Sequence, residues 1–510
     1  MIKLSAKLLD LAVNAIVTHG YGDFFPDPPE LNVVLANWDD VRAELSELDL
    51  DTYRGYDHVA AFAPKSRLNI RRVVLLHPYD LLLYTALVLA LRDGISKFRL
   101  RAEEKRVFSY RAERAGDDVL YNDSPSYTDF KDRVTEVVNR QKGIFVGVSD
   151  IADFYPRIYH HRLVNALQAC CGRMSQDYIR ALEKMLARFS DGASYGIPIG
   201  PAASRPLGEA TLIDVDSTLM SYHIDFVRFT DDYVIFADSP EGAEYGIRVL
   251  AETLFLNHGL TLQTAKTKVL PGSEYVRYHL APHSEKEEGR RKLLEIVGGD
   301  EYKIPKYEDL DEDQKKEVDA LNLSEMLQEA LAEGHNVDYR EVSFILGRLS
   351  ALRMPELIPI VLDNLERLNP VAHSIAAFFR EFTKLNRRTR EKVTSTLLNP
   401  ILNDRTASEY YSVWVLSLFH DHPDWDHAED LIRIFREAHS DVVRRFAALA
   451  LATSGTRAEA IQMTKHLGSA SSLSRTAILM ATSKMGTDER KHLQKSLRLG
   501  ALLEKYCMQT

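Results

Sequence analysis

Residues 226–237 read FVRFTDDYVIFA. Two runs rich in Phe, Val, Tyr and Ile stand so close together that only a tight hairpin can join them as strands. The join carries Asp231 and Asp232 side by side, where their charges repel and where Asn-Gly or Asp-Gly would make a better turn. A second strand of the same kind precedes it: GIFVGVSDIADFY, residues 143–155, is a continuous apolar run ending at Asp150. YHHRLVNALQAC then resumes helical spacing, and residues 239–260 read as a helix with Ser239 and Pro240 at its start and Gly259 at its end. The order is strand, helix, helix, hairpin, helix, strand, with acids at strand ends.

Alone, Asp231-Asp232 is compatible with an ordinary turn. Asp150 changes that, because a strand-end Asp plus a hairpin-tip Asp is the arrangement a polymerase palm uses to hold two divalent cations. Carboxylates that repel one another become favourable around Mg²⁺, which takes hard oxygen ligands. Such a metal pair serves in-line nucleotidyl transfer.

The rest of the chain bounds the setting. With 510 residues, two or three domains are expected. The formal net charge of -10 argues against a surface coated in nucleic acid and leaves room for one local basic channel. Three cysteines, Cys170, Cys171 and Cys507, give neither a disulfide framework nor a zinc spacing and fit a reducing cytoplasm. The N-terminal MIKLSAKLLDLAVNAIV reads as an amphipathic helix, not a signal peptide. LLHPYDLLLYTALVLALRD, residues 75–93, is broken early by His77, Pro78 and Asp80 and is too short to span a membrane; a buried helix with Pro78 in its first turn is expected.

VFSYRAE and DDVLY, near residues 107–121, suggest a hairpin around Gly116, and VLPGSEYVRYHL, residues 269–280, a smaller one. KYEDLDEDQKKE reads as a solvated loop or helix start. From about Glu341 amphipathic helical segments of ten to fifteen residues follow one another, among them VSFILGRLSALR and VVRRFAALALATS. Their loose repetition suggests a HEAT-like α-solenoid or an irregular all-α bundle.

VSDIADFYPRIYHHRL, YGIPIGPAASRPLGEATL, FVRFTDDYVIFA and GLTLQTAKTKVL resemble reverse-transcriptase motifs A, B, C and D, in that order. The resemblance implies an α+β fingers-palm domain over residues 1–285, a connecting helical and acidic segment over 286–340 and an all-α HEAT-like domain over 341–510. It places Asp150, Asp231 and Asp232 as catalytic metal ligands for two Mg²⁺, or Mn²⁺, and Lys266 where it would donate a proton to the departing pyrophosphate or neutralise it. Tyr155 matches the aromatic gate that favours dNTPs over rNTPs. Gly196, Pro198 and Gly200 would let the backbone approach base and primer. Arg111 first, then Arg71, with Arg72 and Arg106 beside them, are candidates to grip triphosphate. Phe229 stands where the family usually has Tyr. Each of these residues also has a plain structural reading, as core aromatic, loop glycine or surface cation.

The helical C-terminal region, with LLHPYDLLLYTAL, VFSYR and IPIGPAASRPLGEATLID, resembles the bacterial abortive-infection reverse transcriptases of the AbiK type and their prophage-encoded relatives. That resemblance implies phage defence, homo-oligomers (trimer or hexamer), and template-independent DNA synthesis primed from a tyrosine hydroxyl, leaving single-stranded DNA covalently attached. Tyr21, Tyr53 and Tyr56 are possible primers. A phage or host protein trigger is a possible partner; a membrane is not. Two alternatives stay open: a defence reverse transcriptase copying a bound noncoding RNA, and a palm-derived scaffold that binds protein. HDHPDWDH, residues 420–427, reads as a loop; His160-His161 and Cys170-Cys171 read as capping or packing residues.

Overall fold

The computed structural model describes residues 1–65, 69–112, 116, 118–280, 311–313, 315–316, 323–332, 337, 339–404, 407–497 and 502–509. It contains strands β1 (Val59–Pro64), β2 (Ile70–Leu75), β3 (Phe145–Asp150), β4 (Asp225–Phe229), β5 (Asp232–Ala237) and β6 (Lys268–Pro271). Contacts divide the chain into two compact units.

The first unit comprises Met1–Asp23, Arg42–Tyr56 and Pro78–His283. Its sheet has the order β4-β5-β3-β6, with every neighbour antiparallel. On one face lies the helix Tyr127–Arg140, whose Phe130, Val134, Val137 and Val138 recur at helical spacing and pack with Val146, Val227, Val234 and Phe236. On the other lies Pro240–His258, started by Ser239, whose hydroxyl accepts from the Gly242 amide, and ended at Gly259 with φ 65°. This helix comes down close because two glycines face the contact. A Cβ on Gly147 would stand 2.9 Å from Ile247 Cγ1, and one on Gly246 2.7 Å from Ile235 Cγ2. The segment from 75 forms the helix Pro78–Phe98, apolar nearly all round and accordingly buried. Among the described residues no helix is long and apolar enough to cross a membrane.

Among the described residues neither expected hairpin forms as a pair of strands. Val107 makes a single parallel bridge to Arg228, and Phe108 N donates to Arg228 O at 3.0 Å, so the segment runs irregularly along the outer edge of β4. Residues 113–115 and 117 lie outside the described residues. After β6 the chain turns helical at Gly272–Tyr275 and Val276–Leu280, because Tyr275, Val276 and Leu280 all join the apolar cluster beside the helix Tyr127–Arg140. Five helices, not two, separate β3 from β4, beginning with the turn Phe154–Arg157.

The second unit comprises Phe24–Val41, Asp57–His77 and Ser284–Thr510. Its helices Tyr339–Leu352, Ala372–Arg380, Glu409–Asp421, Asp441–Ser454, Ser472–Ala481 and Leu502–Cys507 form a row, each against the next. The antiparallel pair β1-β2 and the helix Glu30–Ala36 pack on this row. A division at residue 285 would assign residues 24–41 and 57–77 to the first domain, yet their contacts lie with the C-terminal helices. Arg445 grips Glu30 with both nitrogens, at 2.6 and 2.7 Å, and Thr476 Oγ1 donates to the same carboxylate at 2.6 Å. Of the connecting segment 286–340, the structure describes little beyond the helix Leu323–Ala332.

Candidate active site

The sheet register brings the acids together. Asp150, the last residue of β3, pairs with Asp232, the first of β5, and Asp232 also pairs with Phe229 of β4. Thr230 and Asp231 are the whole of the loop between them, and Ile151 N donates to Asp231 O at 3.2 Å, tying the end of β3 to that loop. Segment 261–267 lies along the same strand end: Gln263 N donates to Asp150 O at 2.7 Å and Ala152 N to Thr261 O at 2.8 Å. It delivers Lys266, whose Nζ donates to Asp150 Oδ2 at 2.9 Å. Asp150 is nearly buried, whereas Lys266 is half exposed and Asp231 and Asp232 keep part of their surface open.

Loss of water around the Asp231 carboxyl pushes it up to about 7, and the charges of Asp150 and Asp232 push the same way, against a weaker opposing pull from a backbone hydrogen bond and then from Lys266. The donor set is oxygen only, and its mutual repulsion is of the kind a divalent cation relieves, so these residues fit Mg²⁺ chemically. Among the described residues no three His, Cys, Asp or Glu side chains close around one point as a ready metal cage.

Tyr155 lies in the turn Phe154–Arg157, its ring against Gly208, where a Cβ would be 3.2 Å from Tyr155 Cε1. Burial, then the charges of neighbouring groups including Asp231, holds its hydroxyl well above the usual tyrosine value. Ile197 N donates to Tyr155 O at 3.1 Å and Gly196 N to Ile158 O at 2.8 Å, so the 196–200 loop is fastened to the turn. Gly196 (φ 93°) and Gly200 (φ 125°) both adopt backbone that disfavours other residues, and Pro198 between them is buried. Beside Ala152 and Asp153 opens a cleft of about 270 Å³, with Arg157, Tyr159 and Tyr195 on its walls.

The arginines are placed differently. Arg111 is buried and donates to the carbonyls of Val107 (2.8 Å) and Leu100 (2.7 Å), which bind the irregular edge segment to itself. Arg71 lies on β2 in the second unit, its guanidinium 5.4 Å from the Phe24 ring centroid. Arg72, next to it, contacts His58, and Arg106 pairs with Asp225 at 2.6 Å. Tyr21 is buried. Tyr53 and Tyr56 meet edge to face, with Arg188 over the Tyr53 ring at 5.2 Å; burial and then the Asp80 charge push the Tyr53 hydroxyl far up. His160 is buried and bonded to Gly196 O at 2.7 Å, Cys171 packs on Leu91 O, and His422 stacks on Trp425, all as packing residues.

Sequence reasoning missed a group of charges behind the hairpin. Arg228, fully buried on β4, donates to Asp216 through Nε (2.9 Å) and Nη2 (2.6 Å), and lies 3.1 Å from Glu209. Glu209 also takes Arg99 Nη2 and Ser109 Oγ, each at 2.6 Å. The available signal was a single arginine inside the apolar run FVRF, a residue rarely buried unless paired.

No protein family matches this chain, and no curated protein does. Among solved structures, it is similar to telomerase from Candida albicans in complex with a fragment of telomeric RNA, at 12% identity over 72% of this chain and 71% of that one, with a TM-score of 0.33. It is also similar to apo telomerase from Candida tropicalis, at 10% identity over 83% of this chain and 74% of that one, with a TM-score of 0.34. At these scores the likeness carries no weight, and function rests on the side chains themselves.

Proposed function

We propose that this chain is a reverse-transcriptase-like nucleotidyltransferase, an antiphage DNA polymerase of the abortive-infection type that is protein-primed and template-independent. The observation that carries the chemistry is the meeting of Asp150, Asp231 and Asp232 at adjacent strand ends, with Lys266 Nζ 2.9 Å from Asp150. Asp150, Asp231 and Asp232 would hold Mg²⁺, which supplies Lewis-acid activation of the attacking hydroxyl and neutralises charge on the leaving group.

The remaining roles belong to the chain. Lys266, half exposed and anchored through Asp150, is suited to deliver a proton to the departing pyrophosphate oxygen. Tyr155, fixed against Gly208, stands as a rigid wall that would exclude a ribose 2′-hydroxyl and so select dNTPs. Tyrosine can act as primer because its phenol oxygen replaces the 3′-hydroxyl as nucleophile, the O–P bond forming as the bond to pyrophosphate breaks. Tyr21, Tyr53 and Tyr56 remain the candidates by resemblance; with Tyr21 buried and Tyr53 deep beside Asp80, priming from either requires local opening.

The test uses the purified chain with dNTPs and Mg²⁺ but no nucleic acid. A DNA tail that survives denaturation and nuclease pretreatment of the protein, and that disappears in Asp231→Ala, is the expected result. A tail that persists in that variant overturns the site; activity lost on RNase treatment, with product complementary to a bound RNA, overturns the template-free part.

A further inference from the structure

We propose that Ser109 and Arg228 are positioning residues that hold the Thr230 backbone in a left-handed conformation and thereby set where the Asp231 carboxylate stands. The inference rests on the function proposed above only for the role of Asp231. Thr230 has φ 54°, in a region a β-branched residue rarely enters. In a two-residue hairpin loop whose first residue has positive φ, glycine is the usual occupant. A threonine persists there only when its surroundings over-determine it.

The surroundings do so from both sides of the residue. Thr230 N donates to Ser109 Oγ at 2.9 Å, and Thr230 O accepts from Arg228 Nη1 at 2.9 Å. Neither partner is free to move. Ser109 donates its own hydroxyl to Glu209 Oε1 at 2.6 Å, and Arg228 is gripped by both oxygens of Asp216. Glu209 is held in turn by Arg99, which also fastens the carbonyls of Ser109 (2.7 Å) and Tyr110 (2.8 Å). Arg99, Arg228, Glu209 and Asp216 balance in charge and are buried together. A buried network of this kind permits few alternative geometries. Its two contacts to the turn converge on one residue, the neighbour of Asp231, which a salt bridge serving stability alone has no reason to do.

Three variants test this: Ser109→Ala, Arg228→Lys, which keeps the charge but loses the planar fork, and Ser109→Ala with Thr230→Gly. Hydrogen exchange over residues 226–237 is read alongside dNTP incorporation. In Ser109→Ala the Thr230 amide should exchange at least about tenfold faster, and kcat should fall about 10- to 100-fold while KM changes less than about threefold. Thr230→Gly in that background should restore most of kcat, since glycine takes positive φ without help. Arg228→Lys should repeat the pattern of Ser109→Ala; should it fail to fold, Ser109→Ala and its glycine rescue decide alone. Unchanged exchange in Ser109→Ala, or no recovery on adding Thr230→Gly, overturns the proposal. If the wild-type chain incorporates no nucleotide, the functional reading fails, while the exchange comparison still decides whether the turn is held in this way.

Discussion

Asp231 sits where two effects that raise its carboxyl, loss of water and two like charges, meet two that lower it, a backbone hydrogen bond and one lysine. The first two prevail and raise its carboxyl to about 7. A raised value in the folded state means that its contribution to stability is fully present below the unfolded carboxylate value and is lost as pH rises through about 7. Metal-free wild type should therefore lose stability relative to Asp231→Asn between about pH 4 and pH 7, by up to about 4 kcal/mol. Urea melts at the two pH values measure it. Added Mg²⁺ should raise the midpoint of wild type at pH 7 and leave Asp231→Asn nearly unmoved; equal shifts in both would place the cation elsewhere. Gly208 was legible only as one letter in PLGEA, yet a Cβ there would stand 3.2 Å from the rings of both Phe154 and Tyr155.

At the scale of elements, the sheet is positioned by glycine as much as by apolar side chains. Gly147 on β3 and Gly246 on the helix Pro240–His258 let backbone and helix approach where a methyl group would meet isoleucine at under 3 Å. Gly246→Ala should cost about 1–3 kcal/mol by overpacking, readable as a lower urea midpoint, and should shift the strand that starts at Asp232. The helix itself was legible, because Ser239-Pro240 and Gly259 are start and stop signals with local causes. The two hairpins expected at 107–121 and 269–280 were not, since their apolar residues answer to distant partners. Val107 and Phe108 follow β4, and Tyr275, Val276 and Leu280 follow the cluster beside the helix Tyr127–Arg140.

At the scale of the whole molecule, the second unit gathers its parts from three stretches of sequence around one buried ion pair. Burial alone would raise the Glu30 carboxyl, but the charge and hydrogen bonds of Arg445 outweigh it and hold the value low. Its contribution is therefore present above the unfolded carboxylate value and lost as pH falls through the folded one. Glu30→Gln leaves Arg445 buried with half its partner and should cost about 3–5 kcal/mol, whereas Glu30→Leu with Arg445→Met should be nearly neutral and less sensitive to acid. Chemical melts of the intact chain at neutral and acidic pH distinguish these outcomes.

Acids at strand ends and in a hairpin turn, a long apolar helix with Pro78 in its first turn, and the dominance of helices after about residue 341 are all legible in the order of residues alone. Those features are written in periodicity and turn chemistry, which act over a few residues. It takes the folded chain to bring Asp150 into register with Asp232, Lys266 to Asp150, Ser109 and Arg228 into hydrogen bonds with Thr230, and Glu30 to Arg445, 415 residues away. A buried charge needs a partner but does not specify where in the chain that partner lies; packing makes the choice.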